Sequence, residues 1–137
     1  MAQLLEDGRL SFAELGERVS LSSPAVKRRV DRLRSSGVIT GFTAIVDPGA
    51  LGQHTEAFVE IHCAASTSPS VLREVLAPEP EIVAAYTVSG DADALVHVRA
   101  TDVAHLEATV ERIRANPEIA RTKTTIVLSR LLARAPR

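Results

Sequence analysis

Tryptophan is absent from this 137-residue chain, and aromatic residues make up only 3% of it. A surface that stacks successive bases on a run of aromatic rings is therefore not expected. Any core must be built from Val, Leu, Ile and Ala, and an apolar content of 45% is enough for one. The one cysteine, Cys63, cannot form an internal disulfide. There is no apolar stretch of membrane length and no signal-peptide pattern, so a reducing cytoplasm is the expected compartment. A net charge of −1 rules out a general polycation. Nucleophile-elbow, phosphate-loop and dinucleotide fingerprints are all missing. His54, His62, His97 and His105 are scattered, none at zinc-site spacing from Cys63. His62 and Cys63, adjacent on a strand, point to opposite faces. No catalytic constellation, metal site or cofactor is expected, and the chain reads as a non-enzyme.

What the chain does have is a focused basic helix. Residues 23–36 hold Lys27, Arg28, Arg29, Arg32 and Arg34 against one acid, Asp31. Ahead of it, Ser11-Phe12-Ala13-Glu14 fits a capping box, and Leu10 and Leu15 fall at the positions of a hydrophobic staple. Phe12, Leu15 and Val19 recur at helical spacing and predict one buried face. The helix stops near Val19-Ser20. Ser23 is read as the next N-cap and Pro24 as the first residue of the second helix. Val26, Val30 and Leu33 line its inner face, and Gly37 suits a left-handed helix end. Two helices joined by so short a turn form a helix-turn-helix, whose second helix enters the major groove of double-stranded DNA. Ser22, Ser23, Lys27 and Arg28 are assigned to the groove, and Arg29, Arg32 and Arg34 to phosphates. A basic helix face is more often plain solvated surface; the tight spacing and the paired caps favour DNA.

Residues 38–46 are β-prone and end at a turn signal, Asp47-Pro48-Gly49. Beyond it the pattern changes. Residues 55–63 alternate as a strand. Ser68-Pro69 opens a helix with Val71, Leu72, Val75 and Leu76 inside. Strand signals return at 82–89 and 93–100. Asp102 caps a helix whose stripe is Val103, Leu106, Val110 and Ile113, and 119–129 reads as a last strand. The order βαββαβ is the ferredoxin-like arrangement. The fold class is thus α+β: a helix-turn-helix domain over 1–37, a β linker or hinge over 38–53, and a ferredoxin-like domain over 54–137. Ala57, Val59, Ile61 and Cys63, with Ala94, Val96 and Val98, are expected beneath the helices. Phe58, Glu60, His62, Leu95, His97 and Arg99 occupy the other face, where Glu60 and Arg99 are expected to pair. With no further element to cover that face, a sheet-to-sheet homodimer is expected.

A set of segments in order resembles the Lrp/AsnC (leucine-responsive, feast/famine) regulators over nearly the whole chain. They include Glu6-Asp7-Gly8-Arg9-Leu10-Ser11, Leu15-Gly16-Glu17-Arg18-Val19, Val26-Lys27-Arg28-Arg29-Val30, Gly37-Val38-Ile39 and Gly41-Phe42-Thr43-Ala44. Later come Asp47-Pro48, Val88-Ser89-Gly90-Asp91-Ala92-Asp93 and Thr122-Lys123-Thr124. The resemblance implies a winged or plain helix-turn-helix, an effector-binding βαββαβ module, and dimers that assemble to octamers or discs. It implies an amino-acid effector held between subunits by Ser89, Gly90, Asp91, Asp93, Thr122 and Thr124. A carboxylate such as Asp93 suits the ammonium, and amides around Gly90 with the threonine hydroxyls suit the carboxylate. The same loop also reads as an ordinary hairpin turn, where Gly and Asp belong.

Two departures stand out. Family members carry further residues ahead of Leu4-Leu5 that form most of a first helix. A shortened N-terminus should expose Phe12, Leu15, Val30 and Leu33, each forfeiting about 1.5–3 kcal/mol of burial. Ala92 stands where the family motif often has an aromatic residue, which alters the pocket wall. The leading reading is a sequence-specific transcriptional regulator answering to a small ligand. One alternative is a sensing or assembly subunit that no longer binds DNA. The other is a dimeric α+β barrel enzyme using His62 or His97.

Overall fold

The computed structural model describes residues 1–64 and 67–132. Two compact units form, one containing Met1–Ile45 and the other Val46–Leu131.

The first unit holds α1 (Ala2–Glu6), α2 (Phe12–Val19) and α3 (Ser23–Ser35). The capping box is present at α2. Ser11 Oγ accepts from the Glu14 amide at 3.2 Å, and Glu14 Oε2 accepts from the Ser11 amide at 2.8 Å. These bonds to Ser11 hold the Glu14 carboxyl below its ordinary range. Ser22, not Ser23, is the N-cap of α3, and its side chain makes no capping bond. Pro24 is therefore one residue further in, where its missing amide is still one of the helix's orphan donors. Gly37 follows the helix with φ +73°, as its position predicts.

Leu15, Val26 and Val30 are buried, with Leu4, Leu10, Leu21 and Ile39 packed against them. The expected exposure of Leu15 and Val30 is thus not found, because α1 brings Leu4 onto them. The expected buried stripe on α2 shrinks to Leu15 and Gly16, since Phe12 is 37% and Val19 41% exposed. Residues 38–46 form no strand, and Val38, Phe42, Ile45 and Val46 are exposed. Among the described residues no ladder pairs with them, and an unpaired strand gains no main-chain bonds.

In the second unit a 3-10 turn (Pro48–Leu51) precedes β1 (Thr55–Cys63), α4 (Pro69–Leu76), β2 (Ile82–Thr87), β3 (Ala94–Ala100), α5 (Val103–Arg114) and β4 (Ile119–Ile126). The strands are antiparallel in the order β2-β3-β1-β4. Three of them differ from the sequence expectation at their ends, β4 stopping at Ile126 and not at 129. Asp102 caps α5 by accepting from the His105 amide at 2.8 Å, and Ser68 caps α4 through the Val71 amide. Ala57, Val59 and Ile61 of β1 and Ala94, Val96 and Val98 of β3 are buried with Leu72 and Leu76 of α4 and Leu106, Val110 and Ile113 of α5. Both helices thus cover one face, the face the alternation assigns. Val103, expected in the α5 stripe, is 57% exposed. Thr109 is fully buried instead, its hydroxyl donating to the His105 carbonyl.

On the opposite face the expected Glu60–Arg99 pair does not form. The register sets Arg99 opposite Glu56 and Glu60 opposite Leu95. Arg99 accordingly reaches Glu56 at 3.4 Å, and Glu60 pairs across to Lys123 of β4 at 3.1 Å.

Candidate functional site

The helix pair is built around one close approach. Leu21 N–H donates to the Gly16 carbonyl at 2.9 Å. A Cβ on Gly16 would stand 2.5 Å from the Leu21 carbonyl oxygen. Ser20 makes the turn with φ 54°, ψ 47°, a left-handed conformation uncommon outside glycine. Neither feature was anticipated from the residues. The Leu-Gly and Val-Ser-Leu-Ser steps were the available signal.

The turn presents α3 with one side inward and the rest free. Ser22, Ser23, Lys27, Arg28, Arg29, Arg32 and Arg34 are all exposed. The Ser22 and Ser23 side chains sit at the helix start, where the first amides and the helix dipole favour anions. Lys27 Nζ is engaged by Asp31 Oδ2 at 2.9 Å. Arg29 and Arg32, with Val19, Val26, Val30 and Leu33, border a groove of about 430 Å³ that Met1 and Leu4 also line. Those two arginines therefore flank the inward face, while Arg28 points away from it.

The second candidate region is the link between β2 and β3. Gly90 has φ +141°, a conformation that favours glycine. Asp91 is almost fully exposed and lies 3.6 Å from Arg121. Ser89 is exposed. Asp93 is tied down: its amide donates to the Ile61 carbonyl at 2.9 Å, and its Oδ2 accepts from the Cys63 amide at 2.8 Å. Burial and then the neighbouring Asp93 raise the Cys63 thiol above its ordinary pKa. Thr122 lies opposite Ile61 in the β1–β4 ladder and accepts from the Arg114 guanidinium at 2.9 Å, whereas Thr124 lies opposite Val59 and is exposed. Strand spacing puts β3 and β4 about 10 Å apart across β1. The fold thus brings Asp93 and Thr122 to the same end of β1, on its two sides. Cys63, Arg114 and Arg121 join them here, and none of the three was anticipated.

The two histidines weighed as enzymatic candidates are both engaged. Arg121 contacts the His62 ring at 3.1 Å. His97 stacks on Phe58 with ring centroids 4.9 Å apart and bonds to Glu56. Burial opposes ionisation of Glu56, but bonds from Arg130 and His97 outweigh it and hold its carboxyl below the ordinary range. Among the described residues, no group of three or more His, Cys, Asp or Glu is placed to hold a metal ion. Among them too, no helix is long and apolar enough to cross a membrane.

Two family models match in tandem. Residues 1–40 match a winged helix-turn-helix DNA-binding model, and residues 56–136 match the Lrp/AsnC ligand binding domain. The chain belongs to the Lrp/AsnC family. It is similar to the HTH-type transcriptional regulator Rv2324 of Mycobacterium tuberculosis, 52% identical over 99% of this chain and 92% of that protein. Among solved structures, it is similar to a feast or famine regulatory protein of M. tuberculosis complexed with L-methionine. That likeness has a TM-score of 0.89 at 33% identity and covers 98% of this chain and 93% of the other. An AsnC family transcriptional regulator from Agrobacterium tumefaciens also gives a TM-score of 0.89, at 30% identity over 99% of this chain and 90% of that one. As an Lrp/AsnC protein, the chain is a helix-turn-helix transcriptional regulator with a ligand-binding domain of α+β fold.

Proposed function

We propose that α3 enters the major groove of double-stranded DNA while the second unit binds a free amino acid that governs the outcome. The observation that carries the first half is the display of five Lys/Arg on one exposed helix whose inner face, Val26 and Val30, is fixed against Leu15. Ser22, Ser23, Lys27 and Arg28 face the base edges, and Arg29, Arg32 and Arg34 take phosphates. The amino acid is held by Ser89, Gly90, Asp91, Asp93, Thr122 and Thr124. In support, the similar M. tuberculosis protein carries L-methionine. Asp93 also commits one oxygen to the Cys63 amide, which fixes the carboxylate and leaves Oδ1 for an ammonium.

The working protein is a cytoplasmic, non-enzymatic homodimer that assembles further, to an octamer. The half-exposed face carrying Phe58, Glu60, His62, Leu95, His97 and Arg99 is its dimer surface. Paired α3 helices then meet half-sites about 34–36 Å apart. The organisation is a reader over 1–37, a hinge over 38–53 and a sensor over 54–137.

The test is fluorescence anisotropy of the protein on duplex selected from a random pool, over a salt series, with and without each amino acid. Log affinity should fall linearly with log salt, and one amino acid should move the curve. Arg28→Ala should lose about 1–3 kcal/mol at the contacted base and blur sequence preference. Equal binding to selected and scrambled duplex, before and after the change, refutes the assignment. A monomeric mass in sedimentation at micromolar concentration refutes the assembly.

A further inference from the structure

Asp31 is the one carboxylate on α3, and it stands within the cationic face. Its Oδ2 takes Lys27 Nζ at 2.9 Å, with the two side chains 49% and 62% exposed. A helix turns by about 100° per residue. Viewed down the axis, Asp31 therefore falls between Lys27 and Arg28, one turn later. Arg28 and Arg34 stand three residues away on either side, the spacing at which helical side chains become neighbours. The three groups nearest this acid are thus Lys27, Arg28 and Arg34. The side of α3 that bears it is the side away from Val26 and Val30.

An exposed pair at this spacing is weak, so a phosphate can draw Lys27 away from it. The carboxylate itself cannot leave. It stays within a Debye length, about 8–10 Å, of any phosphate that Lys27, Arg28 or Arg34 contacts. Non-specific complexes draw essentially all their affinity from phosphate attraction, so a fixed negative charge there weakens them directly. With α3 seated in the groove, the same carboxylate looks onto base edges, where the cytosine amino group donates to Asp or Glu.

We propose that Asp31 is the residue through which this protein suppresses binding to arbitrary DNA: it pairs with Lys27 when DNA is absent and repels phosphates when the helix is not seated. The inference rests on the assignment of α3 as the DNA-reading helix.

The experiment uses the full chain on two duplexes, one selected by the wild-type protein from a random pool and one scrambled from it. Asp31→Asn is compared with Glu107→Gln, which removes the same charge from the exposed surface of α5. Both are exposed positions, so folding is preserved, and circular dichroism checks it. Asp31→Asn should tighten binding to the scrambled duplex by roughly three- to tenfold and steepen its salt slope by about 0.9, the equivalent of one added phosphate contact. The selected-to-scrambled ratio should fall. Glu107→Gln should change neither, and adding Lys27→Met to Asp31→Asn should remove most of the gain. An unchanged scrambled affinity, a gain matched by Glu107→Gln, or an unchanged ratio overturns the inference while the DNA-reading role of α3 stands. A loss of affinity for the selected duplex alone also overturns it, since Asp31 would then be a base-reading residue only. Wild-type protein without salt-dependent DNA affinity overturns the underlying assignment, and this inference with it.

Discussion

The carboxylate of Asp93 accepts a hydrogen bond from the main-chain amide of Cys63 at 2.8 Å, across the end of the sheet. The pairing register between β1 and β4 shifts at His62/Cys63, so this amide sits where the ladder is irregular. Asp93 supplies the acceptor there. It is therefore part of the fold at the same time as it is a candidate ligand group.

The two roles separate by substitution. Asp93→Asn keeps a carbonyl oxygen for the Cys63 amide and loses only the charge. Asp93→Ala loses the acceptor as well and should cost about 1 kcal/mol of stability in urea unfolding. Both should abolish amino-acid binding in calorimetry. Normal binding by the Asn variant shows that the ammonium is held elsewhere.

Gly16→Ala should destabilise the first unit. The new Cβ meets the Leu21 carbonyl oxygen at 2.5 Å, and that oxygen belongs to backbone. The helices must move apart or the turn must reshape, at about 1–3 kcal/mol. Thermal unfolding reads the loss. DNA affinity should fall with it, because the turn sets the angle of α3. An alanine variant as stable as wild type contradicts the close approach.

Ser20 holds a left-handed conformation at φ 54°. Ser20→Val places a β-branched side chain there and should cost about 1–2 kcal/mol. Ser20→Gly should be neutral to stabilising by about 0.5 kcal/mol, the relief being partly offset by the freer unfolded chain. The ordering Gly ≥ Ser > Val in denaturation midpoint is the check.

Acid should weaken the second unit through Glu81. Its side chain is only 11% exposed and bonds to His105 at 2.7 Å and Arg112 at 2.9 Å. Burial alone would raise its pKa, but its main-chain bond, the His105 bond and the charge of Arg112 together lower it from the ordinary 4.5. A carboxyl whose folded pKa is depressed adds stability above its unfolded value and loses it as pH falls through the folded one. The melting temperature should therefore drop once pH goes below about 4.5, and Glu81→Gln should make that drop shallower. A variant with the same acid profile as wild type places the acid sensitivity elsewhere.

What could be read from residues alone was what is local. The Ser11–Glu14 box needs only its own four residues, and it forms. The alternation of Ala57, Val59 and Ile61 needs only a strand with one covered face, and those residues are buried. Long-range detail was not legible. Which acid meets Arg99 depends on the offset between β1 and β3, and Glu56 was chosen over Glu60. The need for glycine at position 16 depends on a left-handed serine four residues on. Residues 38–46 carry β propensity but pair with no strand among the described residues, so propensity alone does not place them. At the candidate effector site, Asp91, Asp93, Thr122 and Thr124 came from family resemblance. The anchoring of Asp93 by an amide distant in sequence has no local signature.

The sheet face away from the helices pairs both of its glutamates but carries surplus positive charge, with Arg99, Arg121, Lys123 and Arg130 against Glu56 and Glu60. Glu60 is met by Lys123 and Glu56 by His97, Arg99 and Arg130, while Arg121 lies against the His62 ring with no carboxylate of this face beside it. A surface that closes over it meets a net positive field. A second copy of this chain would bring the same surplus, so sheet-to-sheet assembly should tighten as ionic strength rises. A related chain with surplus acid on this face would meet attraction there and not repulsion.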